Sequence, residues 1–237
     1  MKITNTSSTH SLPKQRERIS AFTLIELLVV IAIIAILAAF AVPALTKALS
    51  KGQMTGTVNN ARQLYLAQFQ MSNDGAASGD ATAAWPGDLA TPPLTLAAYC
   101  DILVSKGYLK AGDLSKLLNA PGATCTVTAG PPVTLVGTSA LKVWLVKDAD
   151  PGSAIFATTH NYIYDTALAT TPPDVPYGTK GFIVMRKGGD GAVFTEGQAT
   201  AGGWANGSTF QGTVGFKPGD VEGTATAGDL AGTLKLP

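Results

Sequence analysis

Hydrophobic positions crowd into one stretch of this chain and are scattered elsewhere. From Leu27 to Thr46 the sequence reads LLVVIAIIAILAAFAVPALT, 20 residues without a charge. At 1.5 Å per residue that run matches a ~30 Å hydrocarbon core. Lipid requires every backbone group to be satisfied within the segment, so the β-branched Val29-Val30-Ile31 is predicted to be helical too. Pro43 removes one donor and predicts a kink or local unwinding. Upstream, MKITNTSSTHSLPKQRERISA is polar and basic, the kind of flank that stays cytoplasmic. Lys47, Lys51 and Arg62 follow the run, so charge asymmetry alone orients it only weakly.

Past the apolar run, residues 47–71 are polar, yet Leu49, Met54, Val58, Leu64, Tyr65, Phe69 and Met71 recur at roughly helical spacing. The simplest organisation is one long helix, half in lipid and half packed on a head. Gly52 and Gly56 weaken it and mark either close helix contact or a flexible joint. Residues 72–93 carry turn residues throughout and read as a loop with Trp85 as its anchor. Leu94–Leu109 and Asp113–Leu118 are short helical patterns, the first with Leu96, Tyr99, Cys100 and Leu103 on one face.

After Pro121 the pattern changes to short alternating or β-branched runs at 124–128, 133–136, 141–146, 154–158, 161–164, 182–186 and 192–195, the signature of an antiparallel sheet. The clearest hairpin is GFIVMRKGGDGAVFTE, whose central glycines supply positive φ. Residues 197–237 are rich in Gly, Ala and Thr, with candidate strands at 209–216 and 232–236. The predicted segments are 1–21, 22–46, 47–72, 73–123, 124–196 and 197–237, and the fold class is α+β.

Composition sharpens this picture. With 17 Lys+Arg against 16 Asp+Glu the chain has no electrostatic footprint for nucleic acid, and 46% hydrophobic content excludes an acidic disordered chain. One residue is out of place: Glu26, one turn into the apolar stretch and the only acid between Glu17 and Asp74. A carboxylate in hydrocarbon costs a few kcal/mol, about 2.5 or more even on the gentler insertion scales. Arg18 and Lys47 are poorly placed to offset it, so a new amine or another subunit is expected to supply the partner.

The string FTLIELLVVIAIIAILAA, from Phe22 to Ala39, resembles the amino-terminal signal of type IV prepilins and type II secretion pseudopilins. The resemblance covers roughly Ser20 to Leu45. It implies a basic leader cut between Ala21 and Phe22 by a membrane prepilin peptidase, N-methylation of Phe22, and pairing of Glu26 with the terminal amine of a neighbouring subunit. Ala21 stands where the family usually has Gly. The family further implies a sheet packed on the second half of the long helix and a single-pass inner-membrane protein with a cytoplasmic amino terminus. Its head is then periplasmic, or extracellular after assembly. The implied partners are an inner-membrane assembly platform and other pilin-like subunits in a homo- or hetero-filament. Loss of the leader removes four bases and one acid, leaving 13 against 15, so direct nucleic-acid binding is not expected.

Two other readings of the segment stand beside this one. Ala39-Phe40-Ala41 has the form of an ordinary signal-peptidase site, and the helix could be a plain anchor; neither accounts for Glu26. Within the family, a type II secretion pseudopilin is preferred to a type IV surface pilin for adhesion, motility or DNA uptake, because Cys100 and Cys125 are central and not carboxy-terminal. A membrane-tethered envelope binding module is the alternative from another class.

Little else in the chain carries chemistry. Cys100 and Cys125 are the only cysteines, and in an oxidising compartment a bridge between them would contribute about 3 kcal/mol. With His10 in the leader, His160 is left as one polar surface histidine, without a nucleophile elbow or zinc spacing. KGGDG lacks the Walker A ending and is a turn. No enzymatic activity and no cofactor are expected. Asp148, Asp150, Asp190 and Asp220 sit in turn contexts and could supply oxygen to calcium, but match no EF-hand.

Overall fold

The computed structural model describes residues 23–89, 94–168, 176–229 and 232–236. The leader and the Ala21–Phe22 junction lie outside the described residues. Two compact units divide the chain, residues 1–45 and 46–237.

The helix α1, Leu24–Ser78, runs for 55 residues. In the first unit every described residue is exposed, from Leu24 at 87% to Val30 at 44%. Among the described residues α1 is the one helix whose length and composition suit a membrane crossing, and its most apolar window has no buried surface. Helical structure continues through Pro43, so the expected local unwinding is absent from the backbone assignment.

In the second unit α1 buries Met54, Thr57, Val58, Ala61, Leu64, Tyr65, Ala67, Gln68, Met71, Ser72 and Gly75, a set recurring once per turn that keeps one face inward. Of the predicted apolar positions, Leu49 and Phe69 are exposed. Gly52 and Gly56 are helical, and a Cβ on either would meet nothing. The helix also outlasts its predicted end at Ser72. Gly75 allows this, because a Cβ there would lie 2.0 Å from the Ala83 carbonyl oxygen; the following loop folds back against a glycine that only looked like a breaker. Gly79, at φ +73°, supplies the left-handed residue that stops the helix. Trp85 then seats in the core between Tyr65 and Phe156, as expected of the loop's anchor.

The helices α2, Leu96–Ser105, and α3, Ala111–Leu117, follow. Thr95 caps α2, its Oγ1 accepting from the Ala98 amide at 3.1 Å. Leu96, Tyr99, Cys100 and Leu103 are all buried, as their spacing predicts.

Strands β1, Cys125–Thr128, and β2, Thr134–Gly137, form an antiparallel pair. Strands β3, Leu141–Val143, β4, Ile155–Thr159, β5, Phe182–Arg186, and β6, Gly191–Phe194, make an antiparallel sheet in the order β3-β4-β5-β6. The predicted β5–β6 hairpin is present in that register, with Gly189 at φ +87°. All five residues of β4 are buried, so its two threonines need internal partners. Thr158 Oγ1 accepts from Trp144 Nε1 at 3.1 Å and Thr159 Oγ1 from the Ile183 amide at 3.2 Å. The sheet core adds a stack of Tyr162, Phe182 and Phe194.

Three predicted strands are not strands. Residues 161–164 turn instead, because the Asn161 side-chain amide donates to the carbonyls of Gly178 and Gly181 at 2.7 and 2.9 Å. Tyr162 and Tyr164 are buried from that turn. Residues 209–216 fall mostly in α4, Gly207–Thr213, where Asn206 Oδ1 accepts from the Thr209 amide at 2.8 Å and β-branching yields to a strong cap. β3 stops at Val143, since Leu145 donates to the Gly232 carbonyl at 2.7 Å. That bond belongs to the tail. Leu234 donates to Val143 O and Leu96 to Lys235 O, so residues 232–236 form isolated bridges, Thr233 to Trp144 just past β3 and Lys235 to Thr95 before α2.

Candidate assembly site

The first turn of α1 carries a reciprocal cap. The Thr23 amide and hydroxyl both donate to Glu26 Oε2, at 2.8 and 2.7 Å, and the Glu26 amide donates back to Thr23 Oγ1 at 3.3 Å. This is a T-x-x-E capping box, and the negative end suits the helix amino terminus. Thr23, three residues before it, is thus a local hydrogen-bond partner that the expectation did not name, although it supplies no positive charge. Among the described residues no cation pairs with Glu26. Geometrically the carboxylate is preorganised and exposed, beside residues whose own placement lies outside the described part of the chain. Ala21 and Phe22, the processing residues, are among those.

Cys100 on α2 and Cys125 at the start of β1 are free, fully buried thiols. Burial, with the Cys125 thiol adding to it, pushes Cys100 up to about 12, and burial also raises Cys125. Burial thus disfavours the thiolate at both positions in the folded head.

His160 is not the surface residue expected of it. It stands half-buried just after β4, with Nδ1 3.2 Å from the Ser139 carbonyl. Burial foremost, then the Lys142 charge, lowers its pKa. The turn aspartates are engaged by their own surroundings. Asp150 accepts from the Lys147 amide at 2.8 Å, Asp190 pairs with Arg186, and Asp220 accepts from the Thr226 amide at 3.0 Å. Among the described residues no group of three His, Cys, Asp or Glu side chains is placed to hold a metal ion.

No periodicity marks the buried ion pair that links the tail to the sheet. Lys142, on β3, pairs with Asp229 in the tail, and its amine also donates to the Tyr162 carbonyl. Asp229 Oδ1 accepts from the Tyr164 amide at 2.9 Å. Burial lowers the Lys142 pKa against the pull of Asp229. The pair ties the tail to the sheet and the turn beyond β4, and its role is structural.

Comparison with known proteins bears on the amino-terminal segment alone. No characterised protein and no solved structure matches the chain. The model of the prokaryotic N-terminal methylation motif matches residues 17–42, a span that holds the Ala21–Phe22 junction, Thr23 and Glu26. That motif is the signature of the type IV pilin and pseudopilin family. Followed by a long apolar helix that leads into an α+β head, the motif supports a type IV pilin-like protein.

Proposed function

We propose that the protein is a pseudopilin, a structural subunit of a type II secretion-type pseudopilus. The observation that supports this best is the methylation motif matched over residues 17–42, whose described part enters an uncovered apolar stretch of α1, residues 24–45, with Glu26 as its one acid. Prepilin peptidase cuts between Ala21 and Phe22 and methylates the new Phe22 amine. That amine, on a neighbouring subunit, then replaces the Thr23 donors around Glu26 and neutralises the carboxylate as helices pack side by side. An inner-membrane assembly platform draws the subunits out of the bilayer, and the head faces the periplasm. The exposed apolar surface of α1 gains its burial in this assembly and not within the monomer.

Co-expression with a prepilin peptidase and intact-mass measurement tests the reading. The expected product begins at Phe22 and carries one methyl group; a membrane protein retaining Met1–Ala21 overturns it. Filaments extending far from the cell surface at native expression would instead mark a surface pilus. Chain found only as monomer under crosslinking would mark a tethered binding module. Export also exposes Cys100 and Cys125 to oxidant. A bridge between them is expected, and alkylation of the unreduced, denatured protein at both thiols would refute it.

A further inference from the structure

A groove of about 910 Å³ opens on the head where residues 46–54 of α1 face β6 and the turn before β5. Three amines line it: Lys47, Lys51 and Lys180. Lys47 and Lys51 are one helical turn apart and Met54 follows at i+7, so all three share a face. Met54, Val193 and Phe194 give the groove an apolar floor. Among the described residues no acid lines it and none of its three lysines forms an ion pair. Elsewhere in the head Lys106, Lys116, Lys142, Arg186 and Lys217 all have carboxylate partners.

The position of the cluster in the chain supplies its occupant. Lys47 is the first charged residue after the uncharged run that ends at Thr46, so a helix crossing a bilayer delivers these amines to the level of the phosphates. Water-facing lysines without acids beside an apolar floor match a ligand with an anionic head and a hydrocarbon body. A segment of another protein would need its own acids at matching positions, whereas a leaflet offers phosphate continuously at this depth.

We propose that this groove binds the headgroup of an anionic phospholipid from the leaflet through which α1 leaves the membrane. The proposal rests on the membrane-spanning reading of α1, not on the choice between pseudopilus and pilus. Lys47, Lys51 and Lys180 bracket one phosphate while the acyl chains start along Met54, Val193 and Phe194. Held so, the subunit is fixed in height and rotation about α1 before it meets a neighbour.

The test uses the full chain in nanodiscs of phosphatidylcholine with a minor fraction of phosphatidylglycerol, counting retained lipid by native mass spectrometry. The wild type is expected to retain phosphatidylglycerol over phosphatidylcholine. The preference should fall about fivefold for each lysine removed in K47Q, K51Q and K180Q. The matched variant K110Q/K116Q/K235Q, which removes three exposed charges elsewhere, is expected to keep it. Equal retention by wild type and the groove variant overturns the proposal, as does equal loss in the matched variant. Crosslinking of Lys51 to a second copy without lipid preference overturns it in favour of a subunit contact. Release of the chain by alkaline carbonate overturns the membrane reading as well, so the two failures are distinguishable.

Discussion

Asp229→Ala is expected to be the most damaging conservative-sized change in the head. The Lys142 and Asp229 side chains are only 7% and 12% exposed, so little water can replace a lost partner. Breaking a buried pair from one side costs about 3–5 kcal/mol, because the remaining charge is stranded. The variant also deprives the Tyr164 amide of its acceptor, which pushes toward the upper end. Lys142 can shed its proton, and burial already lowers its pKa, which pulls toward the lower end. For a unit of this size about 3 kcal/mol corresponds to a fall in Tm of about 6–12 °C. Thermal melts of the detergent-solubilised chain by circular dichroism measure it. The companion K142M/D229L removes both charges but still leaves the Tyr164 amide without its acceptor, so it should lose about 1–3 kcal/mol and stay more stable than D229A. A D229A melt within about 2 °C of wild type would refute the argument, since it would mean that the pair is not desolvated.

Other substitutions separate the remaining ideas. Glu26→Gln keeps an acceptor for Thr23 but no charge, so it should preserve membrane insertion and helix content while abolishing assembly; filaments formed by E26Q at wild-type yield would assign Glu26 to capping alone. Gly75→Ala should cost about 1–3 kcal/mol by overpacking against Ala83, whereas Gly56→Ala, whose Cβ meets nothing, should gain about 1 kcal/mol in helix propensity; denaturant midpoints read both. His160 has a folded pKa below its unfolded value, so its contribution is present above about pH 6.5 and lost as pH falls through the folded value. Urea unfolding should show lower stability near pH 5 than near pH 7.5, with a shallower slope in H160Q.

What the pattern of residues revealed depended on how local the cause was. The apolar run, the α2 face and the β5–β6 hairpin are set by neighbours within a turn or a strand, and each is where the spacing puts it. Ser72–Gly75 looks like loop, yet α1 runs on to Ser78 because the returning loop brings Ala83, eight residues on, against Gly75, a contact that helical periodicity does not encode. Residues 209–216 alternate well enough for a strand, yet Asn206 offers a cap that β propensity cannot outweigh. At the assembly site, Glu26 stood out by cost alone, while the capping role of Thr23 went unread although its spacing was visible. Lys142 and Asp229 are 87 positions apart, and no local signal connects them.

Residues 232–236 pair at the end of β3, taking up the Val143 carbonyl and the Leu145 amide just beyond the strand. An open sheet edge is a template on which another copy can add a strand, and addition of that kind has no natural stopping point or angle. By pairing there, the segment acts as a stopper at that end of the edge, and under the proposed filament reading crowded heads are denied one route to fusing sheet to sheet. Trimming those five residues should leave a subunit that still enters the membrane but gives disordered aggregates in place of fibres of uniform width.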